Sequence, residues 1–129
     1  MRVKLILLLV ALFGLVLGPG SSAQKRAPDP CQDPQSTVEQ KQCARQEFDK
    51  ADAELNRAYQ QLTGKLEDAE EKEKLKTAQQ AWLKFRDAEC DFESFQNRGG
   101  TIYGLIYVSC QTSLTVERVK GLREVSETH

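Results

Sequence analysis

The side chains in this 129-residue chain with the means to do chemistry are four cysteines, one histidine and 19 carboxylates. Cys31, Cys43, Cys90 and Cys110 admit three uses: nucleophile, metal ligand or disulfide. A thiolate nucleophile needs a base beside it, and the sole histidine is His129 at the terminus. A zinc site needs four nitrogen or sulfur ligands in tight spacing, and no CxxC occurs here. The carboxylates lie along charged helix faces, where solvation and weak ion pairing account for them. No phosphate-binding loop or dinucleotide fingerprint is present. The residues therefore predict no catalytic group, no metal and no cofactor, and leave the cysteines to structure.

That assignment depends on compartment. Met1-Arg2-Val3-Lys4 is a short basic start, Leu5–Leu17 is almost wholly apolar, and Gly18-Pro19-Gly20 breaks it before Ser21-Ser22-Ala23. This is the layout of a secretory signal peptide over 1–23, with small residues at Ser21 and Ala23 placing the cut before Gln24. The apolar run is shorter than the ~20 residues a membrane span needs, and no cysteine stands at the cleavage region to take a lipid. The expected mature protein is periplasmic or secreted, with no stable membrane anchor after cleavage. In that oxidising space an even number of cysteines in a small chain reads as two disulfides. Losing Arg2 and Lys4 takes the 18 basic residues to 16 against 19 acidic ones, a net charge of −3 that argues against a nucleic-acid ligand.

The elements that must position the cysteines follow from periodicity. Residues 24–35, with Pro28, Pro30 and Pro34, form a Pro-rich strap that cannot propagate a helix. Ser36-Thr37-Val38-Glu39 is a capping box and starts helix 1. Phe48, Ala51, Leu55, Tyr59, Leu62 and Leu66 line one face of it. A turn is expected near Glu67–Glu70. Helix 2 then presents Leu75, Ala78, Trp82, Phe85, Glu89 and Phe92, flanked by Gln79, Leu83, Arg86 and Phe95, and is expected to pack face to face on helix 1. It should stop at Asn97-Arg98-Gly99-Gly100, where adjacent glycines allow a tight reversal. Helix 3, capped by Thr101 or a neighbour, carries Ile102, Leu105, Ile106, Cys110, Ser113, Val116 and Val119. Tyr103, Tyr107, Val108 and Thr115 raise strand propensity there, so a β-hairpin competes. The expected fold class is all-α: a small antiparallel three-helix bundle stapled by two disulfides, with the helical domain over 36–125 and a polar tail over 126–129.

Cys90 and Cys110 are nearly equidistant from Gly99-Gly100, so an antiparallel hairpin brings them level. Cys43 lies two turns into helix 1, about 10 Å along the axis, a span the strap can cover to bring Cys31 alongside. The expected pairs are Cys31 with Cys43 and Cys90 with Cys110. Antiparallel helices 1 and 2 would also put Cys43 at the same end as Cys90, so a crossed pairing stays open.

Taken together the polar landmarks form a pattern: Asp52-x-x-Leu55-Asn56-x-x-Tyr59, then Gln79 or Gln80 with Trp82-x-x-x-Arg86-Asp87-x-x-Cys90, then Cys110, then Arg118-x-x-x-Leu122. In this order, after the cysteine pair of the first helix, it resembles the LprI-type lysozyme inhibitor N-terminal domain family over about Cys31–Leu122. The resemblance implies a small helical, disulfide-bearing envelope or secreted bacterial protein, with lysozyme as its protein partner. The family's naming member looks lipid-anchored, and this leader lacks the cysteine for that. By their chemistry Asp52, Leu55, Asn56, Tyr59, Gln80, Trp82, Arg86, Asp87, Arg118 and Leu122 read as framework, with Asn56, Gln79, Gln80 and Arg86 setting helix register. Arg86 is expected to form an ion pair beside Trp82 and Glu89. The reversal carrying Asn97 and Arg98 is the candidate inhibitor contact, aimed at the acidic cleft carboxylates of a glycosidase. An envelope interaction or scaffold module with no lysozyme activity is the second reading.

Overall fold

The computed structural model describes residues 29–129. Three helices follow one another: α1 (Thr37–Lys65), α2 (Ala69–Ser94) and α3 (Tyr103–Thr128), with a short 3-10 turn over Phe95–Asn97. They run up, down and up, so α1 and α3 are parallel and α2 is antiparallel to both. The leader over 1–23, its cleavage point and the first residues of the strap lie outside the described residues. Among the described residues no helix is long and apolar enough to cross a membrane.

The helix starts carry their own chemistry. The Glu39 backbone N–H donates to Ser36 Oγ at 3.2 Å and the Glu39 carboxylate accepts from the Ser36 N–H at 3.1 Å, closing the capping box. The turn between α1 and α2 is Leu66–Asp68, slightly earlier than the sequence spacing suggested. Asp68 caps α2 by accepting from the Glu71 N–H at 2.9 Å, which places Glu70 and Glu71 in the first turn, where the helix dipole favours acids. At the second reversal Gly99 takes φ +79°, the left-handed region open to glycine. No side chain caps α3, so Thr101 does not fill the role expected of it. The segment with strand propensity is helical throughout, because as a helix it buries Cys110, Gln111, Thr115, Val119 and Leu122.

The core is made chiefly by α1 and α3. Leu55, Ala58, Leu62 and Leu66 meet Val119 and Leu122, and Tyr59, Leu75, Trp82 and Leu83 pack against them half-buried. Each fully buried leucine stabilises the fold by about 1.5–3 kcal/mol relative to exposure. The expected face-to-face packing of α1 on α2 is not what forms. The closest backbone approaches are between α3 and each of the other two helices, while α1 and α2 stand further apart and touch through long side chains.

The orientation of α2 also differs from the sequence reading. Arg86, Cys90 and Ser94 face inward, whereas Phe85 and Phe92 are 51% and 77% exposed and Ala78 and Glu89 lie in solvent. The cause is geometric: one residue step turns a helix by about 100°, and bringing Cys90 to Cys110 and Arg86 to Thr115 fixes the rotation. On α3 the inward line likewise runs through Cys110, Thr115, Val119 and Leu122, leaving Ser113 and Val116 exposed.

Both expected bridges are present. Cys31 and Cys43 have Cα atoms 5.4 Å apart and Cys90 and Cys110 5.6 Å, and the crossed pairing does not occur.

Candidate functional site

Arg86 is the node from which the site is built. Its guanidinium sits 5.3 Å from the Phe48 ring centre of α1 and 5.4 Å from that of Trp82. Nε pairs with Asp87 at 3.0 Å, and Nη1 reaches Asp52 of α1 at 3.5 Å and donates to Thr115 of α3 at 3.3 Å. A residue only 7% exposed thus touches all three helices. Its carboxylate partners are Asp52 and Asp87 rather than Glu89, which faces solvent. On the same indole, Arg118 of α3 stands 5.9 Å from the ring centre and donates through Nε to Gln79 at 3.0 Å. Burial lowers the Arg118 pKa from its usual value, and the group stays a cation at neutral pH.

From this node a polar chain runs toward the disulfide end. Gln111 Nε2 donates to Asp87 at 3.0 Å and to the Tyr107 hydroxyl at 3.3 Å. Burial first, and then the nearby Asp87 carboxylate, push the Tyr107 pKa up, so the phenol keeps its proton. Further along, Asp91 Oδ1 accepts from the Tyr103 hydroxyl at 3.0 Å and from Arg98 at 3.4 Å. The Arg98 guanidinium also lies over the Phe95 ring, 4.6 Å from its centre. The reversal is therefore a rigid projection: one face is held by Cys90–Cys110, and its arginine is braced on an aromatic and a carboxylate yet more than half exposed. Asn97 supplies the carbonyl that accepts from the Gly100 N–H at 2.9 Å and closes the turn.

The wider spacing of α1 and α2 leaves a groove of about 330 Å³ between them, lined by Asp52, Asn56, Tyr59, Gln79, Gln80 and Leu83 with Leu55 beneath. Asn56 is oriented by a 3.3 Å hydrogen bond to Asp52 one turn earlier. A larger trough of about 750 Å³ runs between α1 and α3 past Ala51, Glu54 and Val116. Of its three acidic residues, Glu47, Asp49 and Glu54, the last pairs with Arg57 and Arg123, and the Arg57 hydrogen bond foremost lowers its pKa.

The landmark residues thus divide in two. Leu55, Trp82, Arg86, Arg118 and Leu122 lie in or against the core, and Asp52 and Asp87 satisfy the buried arginine. Asn56, Tyr59 and Gln80 line the groove. Asn97 and Arg98 stand apart from both, at the bridged end. Sequence reasoning missed Phe48, Gln111, Thr115, Tyr107, Asp91 and Tyr103 as members of these networks. Gln111 and Thr115 carried a signal, since they are polar residues four apart in line with Val119 and Leu122. Nothing local marked Asp91 or Tyr103.

Residues 29–122 match the family described as Lysozyme inhibitor LprI. The chain belongs to that family. An uncharacterized protein of Rhizobium meliloti (strain 1021) is 31% identical over 119 residues, covering 83% of this chain and 85% of that protein. The uncharacterized protein YecT of Escherichia coli (strain K12) is 35% identical over 97 residues, 64% of this chain and 60% of YecT. Among solved structures, a DUF1311 family protein of Pseudomonas putida KT2440 matches with a TM-score of 0.66 and 25% identity, over 70% of this chain and 93% of that one. The helical bundle is therefore shared with that solved structure, and this chain's two bridges suit an oxidising, extracytoplasmic location.

Proposed function

We propose that this LprI-family protein acts in the periplasm or as a secreted protein, binds lysozyme and blocks its hydrolysis of peptidoglycan. The match of residues 29–122 to an inhibitor family carries the reading. In it, residues 1–23 are removed as a signal peptide and residues 36–125 form the inhibitory domain. Blocking a glycosidase cleft calls for a convex, rigid projection, and the bridged end supplies one. Arg98 would enter the cleft and face its catalytic carboxylates, with Asn97 holding the turn. The excess of acidic over basic residues does not oppose encounter with a cationic enzyme.

The test is a turbidity assay of cell-wall lysis with purified mature protein and lysozymes of several types. Slowed lysis that reaches completion as inhibitor is withdrawn supports the reading, and full-rate lysis at excess protein overturns it. Arg98→Glu is expected to weaken inhibition by at least about ten-fold, the loss of one charge-assisted contact and its replacement by repulsion. Unchanged inhibition would remove the turn from the contact.

A second reading is favoured by one observation. The α1–α2 groove is concave and lined by Asn56, Tyr59 and Gln80, an arrangement suited to receiving a segment of another envelope protein. Full lysis together with capture of a defined envelope partner that is lost in Asn56→Ala/Gln80→Ala would favour it.

A further inference from the structure

One apolar stripe, apart from its last ring beneath Arg98, takes no part in the networks above. Ala78, Ala81, Phe85, Ala88 and Phe92 along α2, and Phe95 at the start of the 3-10 turn that follows it, succeed one another in alternating steps of three and four residues, and all six are exposed. The three phenylalanines are exposed by half or more. Alternating three and four is the spacing of a seam between two helices, and the bundle does not use it: its own contacts come from the side bearing Arg86, Cys90 and Ser94. A contiguous row of this kind on a soluble protein marks an interaction surface.

We propose that this face docks a second copy of the chain, with the two α2 helices antiparallel about a two-fold axis between Phe85 and Ala88. The order of large and small residues selects the partner. Set antiparallel on that axis, Phe85 meets Ala88 of the second copy, Phe92 meets its Ala81, and Phe95 meets its Ala78. Every layer then pairs one phenyl ring with one methyl group, and the helix separation stays even along the seam. A parallel arrangement stacks phenylalanine on phenylalanine and alanine on alanine, which forces the helices apart at some layers and leaves voids at others. The stripe is thus complementary to itself, as an isologous interface requires. From Ala78 to Phe95 it extends about 26 Å along the helix, several turns of contact.

Charges beside the seam agree. Lys84 makes no ion pair among the described residues, and both internal bonds of Asp91 use Oδ1. In the antiparallel register Lys84 and Asp91 of the second copy flank the same side of the seam, two residues from level and within reach of a lysine side chain, and symmetry makes two such pairs. The Arg98 turn adjoins the last layer of the seam, its guanidinium lying over the Phe95 ring, and Phe92, one turn earlier, tests the association apart from that contact.

Sedimentation velocity of the mature protein over a wide concentration range tests the proposal. A dimer that dissociates on dilution is expected. Phe92→Glu should raise its dissociation constant by about 100-fold or more, because two buried charges are introduced at once. Since Phe92 is exposed, the variant should keep its helical circular dichroism and, at dilutions where both proteins are monomeric, its melting temperature. Lys84→Glu, also on the surface, should weaken the dimer by about five-fold through loss of two exposed ion pairs. Zero-length carbodiimide cross-linking of mixed light- and heavy-isotope chains should join Lys84 to Asp91 between copies. The proposal is overturned by a wild-type protein that stays monomeric at millimolar concentration, by Phe92→Glu dimerising like wild type, or by interchain links from Lys84 that never include Asp91. A monomer whose Phe92→Glu variant loses lysozyme inhibition would also overturn it, giving the face to the enzyme.

Discussion

Arg86→Ala removes a guanidinium that touches all three helices, and the structure allows its effect to be sized. The two ring contacts, with Phe48 and Trp82, contribute about 0.5–1 kcal/mol each at the edge of a partly dry site. The hydrogen bond to Thr115, a residue with no exposed surface, is charge-assisted and contributes about 1.5–3 kcal/mol, because its loss leaves a buried hydroxyl less well satisfied. The ion pairs to Asp52 and Asp87 add little, since both carboxylates are well exposed and regain water when the arginine is gone. The expected loss is about 3 kcal/mol, or roughly 12–24 °C in melting temperature for a domain of about 100 residues. Urea titration followed by fluorescence of Trp82, the only tryptophan, and by circular dichroism measures it. Arg86→Lys keeps the charge but neither the flat sandwich between rings nor the forked donors, and should lose more than half as much. If Arg86→Ala shifts stability by under about 1 kcal/mol, the arginine does not fix how α1 and α2 meet.

The bridges differ in loop length. Replacing Cys90 and Cys110 by alanine should destabilise by about 3.3 kcal/mol and replacing Cys31 and Cys43 by about 2.8 kcal/mol from chain entropy, with a further packing loss at fully buried Cys90; paired denaturation curves measure the order. Glu54 gives a pH dependence. Its folded pKa lies below the ordinary carboxylate value, so its link to Arg57 and Arg123 is fully present above that value and is lost as pH falls through the lower folded one. Glu54→Gln should therefore flatten the acid limb of the stability curve and leave the neutral region less affected, a comparison that melts at stepped pH values make directly.

Much of this architecture was legible because the signals are local. The capping box at Ser36, the glycine pair at Gly99-Gly100 and the apolar line from Phe48 to Leu66 act within a few residues, and each formed as its chemistry requires. The preferred cysteine pairing was legible because the reversal point brings Cys90 and Cys110 level, whereas the crossed pairing is excluded only by the structure. The rotation of α2 was not. Two stripes overlap on that helix, one through Leu75, Trp82, Arg86 and Cys90 and one through Ala78, Phe85 and Phe92. Hydrophobicity alone favours the second, while the disulfide and the polar contacts of Arg86 select the first. The partners of Arg86 were hidden for a similar reason, since Asp52 and Thr115 are distant in sequence. The framework roles of Trp82 and Arg86 needed only the knowledge that they stand beside apolar stripes.

The two bridges join consecutive cysteines, first with second and third with fourth, and their loops do not interleave. A chain that enters an oxidising space N-terminus first therefore offers Cys31 a single partner, Cys43, until about forty-seven more residues have followed. If the first two sulfurs pair before Cys90 arrives, the next free thiol it meets is Cys110. Of the three ways to pair four cysteines, the order of emergence alone selects the native one. Such a protein needs an oxidant to mature and has little use for a catalyst that reshuffles disulfides.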